Sequence, residues 1–195
     1  MLIKTHPQYP SCQSALLGLA FCTLAGVAQA HTVDLGINND AVSLEYNNQI
    51  PKSELNLGVG GLHSKENGDA YYASLFVADN VNKESGLLAG LGTRFYYLDA
   101  DEGSTEGTGL ALGGFLNWDV PSVPNLSLRG DFYYAPDVLT FDDVENFGDV
   151  SARVQYRVIE QAWLYVGYRR LMLEDELSHD FNLEEGAFVG MLLWF

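Results

Sequence analysis

Arg94, Arg129, Arg153, Arg157 and Arg169 each stand in a stretch where large apolar residues alternate with small or polar ones. All five fall on the polar side, together with Glu45, Asp119 and Asp131. A planar guanidinium with several donors holds carboxylates in fixed geometry, so this set can make a paired network or a charged wall. A second chemistry rests on His63-Ser64 and Ser178-His179. A serine near a base is the raw material of acyl transfer, but adjacency in sequence does not supply the geometry. A third rests on Asp142, Asp143, Glu174, Asp175 and Glu176, hard oxygen donors suited to weak binding of divalent cations. No twelve-residue calcium loop with ordered ligands is present, and no glycine-rich phosphate loop or cofactor motif, so no cofactor is expected.

The elements that must position these groups begin after an export signal. Residues 1–30 carry Lys4 and His6, no acidic residue, an apolar run from Ala15 to Val27, and Ala28-Gln29-Ala30 as a small-x-small cleavage pattern. Cleavage after Ala30 leaves residues 31–195 as a single domain with neither Cys12 nor Cys22, hence no disulfide framework. It also leaves His31 at the new N-terminus, where a free amine and an imidazole meet. That product has nine Lys and Arg against 26 Asp and Glu, a formal net charge of −17. Such a balance excludes nucleic acid as a partner, because no basic stripe exists to neutralise phosphates.

No segment beyond residue 30 holds eighteen apolar residues in a row, which excludes a helical span. Backbone groups in lipid must be paired, and the remaining solution is a closed β-barrel. Its signature is short alternating segments joined by turns. Such segments run over residues 53–63, 70–79, 87–98, 108–120, 126–135, 148–159, 162–173 and 186–195. Shorter ones run over 32–38 and 41–47. Single-chain bacterial barrels use even strand numbers, which leaves eight or ten. Ten is the expected number, because the first two segments alternate cleanly as well; in the eight-stranded version they form an arm. The expected fold is therefore a small all-β transmembrane antiparallel barrel, an up-and-down meander.

The connections interleave. Those at 121–125 and 160–161 are short, whereas 100–107, 136–147 and 174–185 are longer and acidic. Short turns belong to the periplasmic side and long loops to the outside, which predicts a periplasmic C-terminus and extracellular acidic loops that include Asp149 and Glu184. Tyr97, Trp118, Tyr134, Tyr168 and Phe195 lie near strand ends, as an interfacial girdle requires. Arg170 lands on the lipid side by parity, near the outer rim, where it meets a lipid phosphate unless a bulge turns it inward.

The ending Gly190-Met191-Leu192-Leu193-Trp194-Phe195 resembles the C-terminal assembly signal of outer-membrane barrels, with Gly190, Leu193 and Phe195 at the characteristic places. The polar residue common before that glycine is replaced by Val189. More broadly the chain resembles the YfaZ-type family of small gammaproteobacterial outer-membrane proteins. The likeness rests on residues 34–41, Asp-Leu-Gly-Ile-Asn-Asn-Asp-Ala, on Gly-Val-Gly-Gly-Leu-His at 58–63, and on the ending. It implies location and fold and carries no catalytic motif.

These readings converge on a monomeric barrel of a Gram-negative outer membrane, with a structural or envelope-associated role. Its lumen is expected to be filled by a network of Arg94, Asp119, Arg129, Asp131, Arg153, Arg157 and Arg169 with inward tyrosines. A charge facing hydrocarbon costs about 2–4 kcal/mol at mid-membrane depth, which is why these side chains must turn inward. Two alternatives stay open: a narrow porin-like channel for small solutes, and a lipid-modifying enzyme using His63, Ser178 or His179. The expected partners are outer-membrane lipids and lipopolysaccharide, the barrel-assembly machinery through the last strand, and divalent cations at the acidic loops.

Overall fold

The computed structural model describes residues 31–82, 85–100, 105–142, 144–175 and 180–195. The expected leader lies outside the described residues.

Alternation in the sequence becomes alternation in space. The strands are β1 (His31–Ile37), β2 (Ala41–Gln49), β3 (Leu55–Ser64), β4 (Gly68–Asn82), β5 (Leu87–Ala100) and β6 (Thr105–Asp119). They continue with β7 (Leu126–Ala135), β8 (Thr140–Asp142), β9 (Val144–Ile159), β10 (Ala162–Asp175) and β11 (Asp180–Trp194). Each long strand pairs antiparallel with its sequence neighbours, and β1 closes on β11 from Thr32↔Trp194 to Ile37↔Val189. The backbone of His31 exchanges two hydrogen bonds with Phe195, at 2.9 and 3.0 Å, completing the seam. Short β8 is no barrel stave of its own. It takes over from β7 beside the start of β6, pairing Gly107 with Asp142. The result is a closed ten-stranded meander that includes the two short N-terminal segments.

Side-chain burial is inverted relative to a soluble protein. Leu91, Leu116, Phe132, Val59 and Val166 are exposed on the outer wall, while Arg94, Asp149 and Gln155 are buried inside. Only a hydrocarbon surround makes that arrangement favourable, since a soluble domain buries its large apolar side chains. The inward parity of Arg94, Arg129, Asp131, Arg153 and Arg169 is found in space, each with a largely buried side chain.

The strands run further toward the end that carries the long connections than the sequence pattern suggested. β9 starts at Val144 rather than 148, and β11 starts at Asp180 rather than 186. We call this the loop end, and the opposite one, which holds His31, Phe195 and the turns at 50–54, 120–125 and 160–161, the terminal end. A bulge lies in β11, where Leu171 pairs with Glu184 and Met172 already with Asn182. The extra residue is Leu183, and it points inward. Arg170 on the partner strand keeps its outward parity.

Inward rings lie over inward glycines. A Cβ on Gly60 would come within 2.4 Å of the Tyr72 ring, and one on Gly190 within 2.3 Å of both the Tyr165 ring and the Leu35 carbonyl oxygen. Gly190 therefore has a packing duty besides its place in the C-terminal signal.

Candidate functional site in the lumen

Register brings the charged side chains together. Asp34, Glu45, Gly60, Tyr72 and Tyr96 form one cross-strand row through β1–β5, with Arg94 paired to Ser74 one step toward the terminal end. On the facing wall Arg129 pairs with Arg153, Asp131 with Ser151 and Tyr133 with Asp149. Two like charges directly opposite each other repel, so Arg129 and Arg153 need carboxylates beside them.

Those carboxylates are present, in two linked groups. In the group nearer the loop end, Arg94 lies 3.2 Å from Glu45 and 3.6 Å from Asp149, and its guanidinium sits between the rings of Tyr72 and Tyr133, at 4.6 and 4.1 Å. Arg169 donates to both oxygens of Asp149, at 3.0 and 2.7 Å, and approaches Glu184 at 3.8 Å. Tyr96 donates to Asp149 at 2.7 Å and Tyr72 to Glu45 at 2.5 Å. In the second group Arg129 donates to Asp131 at 2.8 Å and lies 3.9 Å over Phe115. Arg153 donates to Asp34 at 2.6 Å, and Tyr165 also donates to Asp34. Four guanidinium groups thus face five carboxylates, Asp34, Glu45, Asp131, Asp149 and Glu184. Their near balance allows charge to be held away from bulk water, because an unpaired buried ion is far costlier than a paired one.

The network is capped on one side only. Toward the loop end Leu62, Leu98, Val144, Phe147, Leu171 and Leu183 pack together, none more than 3% exposed. Toward the terminal end a cavity of about 250 Å³ reaches Thr32, Asn56, Ala78, Leu88 and Leu192 near the strand ends. Within the network side-chain exposure is lowest at Asp149, 4%, beside the cap, and highest at Arg129, 20%. Asn47 Oδ1 and Arg153 Nε lie on the cavity wall with no hydrogen-bond partner among the described residues, which suits a hydrated lining.

Of the residues singled out by sequence, Arg94, Arg129, Asp131, Arg153 and Arg169 meet in this network. Arg157 and Asp119 do not reach it. Arg157 lies at the terminal end with its guanidinium on Asn125 Oδ1 at 2.9 Å, and Asp119 accepts from Asn117 at 3.3 Å. Asp149 and Glu184, assigned by sequence to the acidic loops, are buried in the lumen instead, because β9 and β11 extend past them. Parity could have placed both, since each continues the inward alternation of its strand. Asp34 lies on the polar face of its alternating segment, but no local pattern pairs it with Arg153, from which 119 positions separate it.

The other candidates stay apart from the lumen. His63 faces outward, with Nδ1 2.6 Å from Asp69 on the next strand, while Ser64 is buried on the inward side, so the two adjacent side chains point to opposite faces of the sheet. Ser178, His179, Asp143 and Glu176 lie outside the described residues, as does the side chain of Asp175. Glu174 accepts from Asn146 at 2.6 Å, and Asp142 sits at the reversal between β8 and β9 with φ 67°. Among the described residues no three His, Cys, Asp or Glu side chains gather as a metal site requires.

A closed antiparallel meander, apolar outside and holding paired charges inside, defines a transmembrane β-barrel of the outer-membrane class. The sequence model described as YfaZ precursor matches residues 13–195. The chain belongs to the YfaZ family of small outer-membrane proteins. No curated protein matches it. Sixteen solved chains match in fold comparison. One, from a structure described as "Unveiling the Mechanism Behind the in-meso Crystallization of Membrane Proteins", is 16% identical, covers 86% of this chain and 83% of that chain, and has a TM-score of 0.43.

Proposed function

We propose that the protein is a non-conducting structural barrel of the outer membrane, with its terminal end toward the periplasm and its loop end toward the outside. The observation that carries this reading is the one-sided closure of the lumen. Water enters from the terminal end as far as the charged network, and the apolar cap beyond it supports no aqueous path. Purified residues 31–195, reconstituted in planar bilayers, should give no reproducible current steps. Sustained steps from the unaltered barrel would reassign it to the channel class.

Orientation follows from the placement of short and long connections. Glu66 and Glu54 lie exposed at opposite ends of β3, and residues 31–195 contain no cysteine. On intact cells a membrane-impermeant maleimide should label E66C and leave E54C unlabelled until the outer membrane is breached; the reverse pattern would invert the topology. Export with cleavage after Ala30 predicts a mature N-terminus at His31, read by intact mass. Insertion is assigned to the assembly machinery reading the last strand, with Gly190, Leu193 and Phe195 as its signal. Lipids of the outer leaflet surround the wall.

A further inference from the structure

The lipid-facing wall is not uniform. At the loop end of β7, β9, β10 and β11 it carries a groove of about 310 Å³ whose floor includes Phe132, Val150, Met172 and Gly148, with Arg170 at its edge. Register explains its shape. One outward row reads Phe132, Val150, Arg170 and Glu185; the next toward the loop end reads Tyr134, Gly148, Met172 and Asn182. One step toward the terminal end, Gly130 pairs with Ala152. A Cβ on Gly130 would meet nothing nearer than 3.8 Å. These two small residues leave the wall low for one row below the groove, before Leu128 and Val154 raise it again.

Among the described residues Arg170 is the one Lys or Arg that a strand presents to the lipid side. It sits beside Tyr134 and Tyr168, the aromatic level where hydrocarbon meets headgroups. Asn182 accepts from its Nε at 3.0 Å. Its ion pair with Glu185 is long, 3.5 Å, and both side chains are open to the surround. Glu185 has other donors, Tyr168 at 2.9 Å and Asn182 at 2.7 Å, and Glu174 is held by Asn146. Both nearby carboxylates therefore keep partners if Arg170 turns to a ligand.

Resting on the orientation proposed above, we infer that this groove is a binding site for one phosphate-bearing lipid of the outer leaflet. Arg170 takes the phosphate, whose oxygens match its donors. Phe132, Val150 and Met172 hold the upper acyl chain, and the low row at Gly130 and Ala152 takes the next length of chain.

The test is native mass spectrometry of the folded barrel with dilauroyl phosphatidate, or dilauroylglycerol lacking the phosphate, as the added probe. The unaltered barrel should prefer the phosphate-bearing probe by about tenfold, the size of one charge-assisted contact. R170Q should erase that preference. G130L should weaken retention of both probes, and R157Q, at the terminal end, should change neither. Millimolar inorganic phosphate should not displace the lipid. Retained preference in R170Q would overturn the proposal, as would displacement by phosphate alone. Barrel dimers abolished by G130L and unaffected by lipid would assign the groove to a second copy instead. The E66C labelling experiment reads orientation separately, so failure of lipid preference in a correctly oriented barrel counts against the groove alone.

Discussion

Arg94 is the residue on which the lumen most depends. It joins Glu45 to Asp149 and lies between two tyrosine rings, so it serves as counterion and as packing. Removing one partner of a buried pair costs about 3–5 kcal/mol, because the other charge stays behind. R94M should therefore lower the unfolding free energy of the barrel, read from its urea titration, by an amount of that order. The double variant R94M/E45Q should recover part of the loss, since no unpaired carboxylate is left at position 45 and its amide oxygen can still accept from Tyr72 or Asn47. A double variant as unstable as the sum of its parts would deny the coupling. Sequence made half of this visible. Period-two alternation fixes the face of each arginine, and the cost of a charge in hydrocarbon fixes that face as the inner one. It does not fix depth or azimuth, and the partners depend on both. Asp34 meets Arg153 only because β1 closes against β11, an event no window of local sequence contains.

At the scale of the strand, the pattern was legible in its middle and illegible at its ends. The outward apolar residues define the hydrocarbon belt, and every predicted segment is a strand there. Beyond the belt the outward face turns polar, as at Asn146, Glu174, Asn182 and Glu185, so apolar alternation stops and the sequence reads as acidic loop although the backbone ladder continues through Asp149 and Glu184. The bulge at Leu183 is invisible for a related reason. It re-aims one apolar residue into the cap without disturbing the alternation on either side. Closure rests on the last strand, and Gly190 tests it. Alanine there must displace the Tyr165 ring or the backbone of β1, since its Cβ would lie 2.3 Å from the Leu35 carbonyl. G190A should thus slow or prevent the heat-sensitive shift in gel mobility that marks a closed barrel, while deletion of Phe195 should impair insertion in cells. If G190A closes normally in detergent, the close packing at that seam has been misread.

For the whole molecule, the lumen holds two barriers in series. The charged belt is filled by Arg94, Tyr72, Tyr96 and Tyr133, and the apolar cap beyond it by Leu62, Leu98, Leu171 and Leu183. A pore blocked at two depths conducts only when both blocks are gone. Opening the cap alone with L98A/L171A/L183A leaves Tyr96 and Tyr133 across the path, and opening the belt alone with Y96A/Y133A leaves the leucines. Each of these variants should remain silent in planar bilayers, and the combination should give small steps, provided gel mobility shows all three to be closed barrels. Each truncated leucine also removes buried methyl groups, at about 2–5 kcal/mol per site, so the triple variant should be markedly easier to unfold in urea even while silent. Current from the cap variant alone would mean that the belt is already permeable, and that the leucines, rather than the paired charges, are what hold this barrel shut.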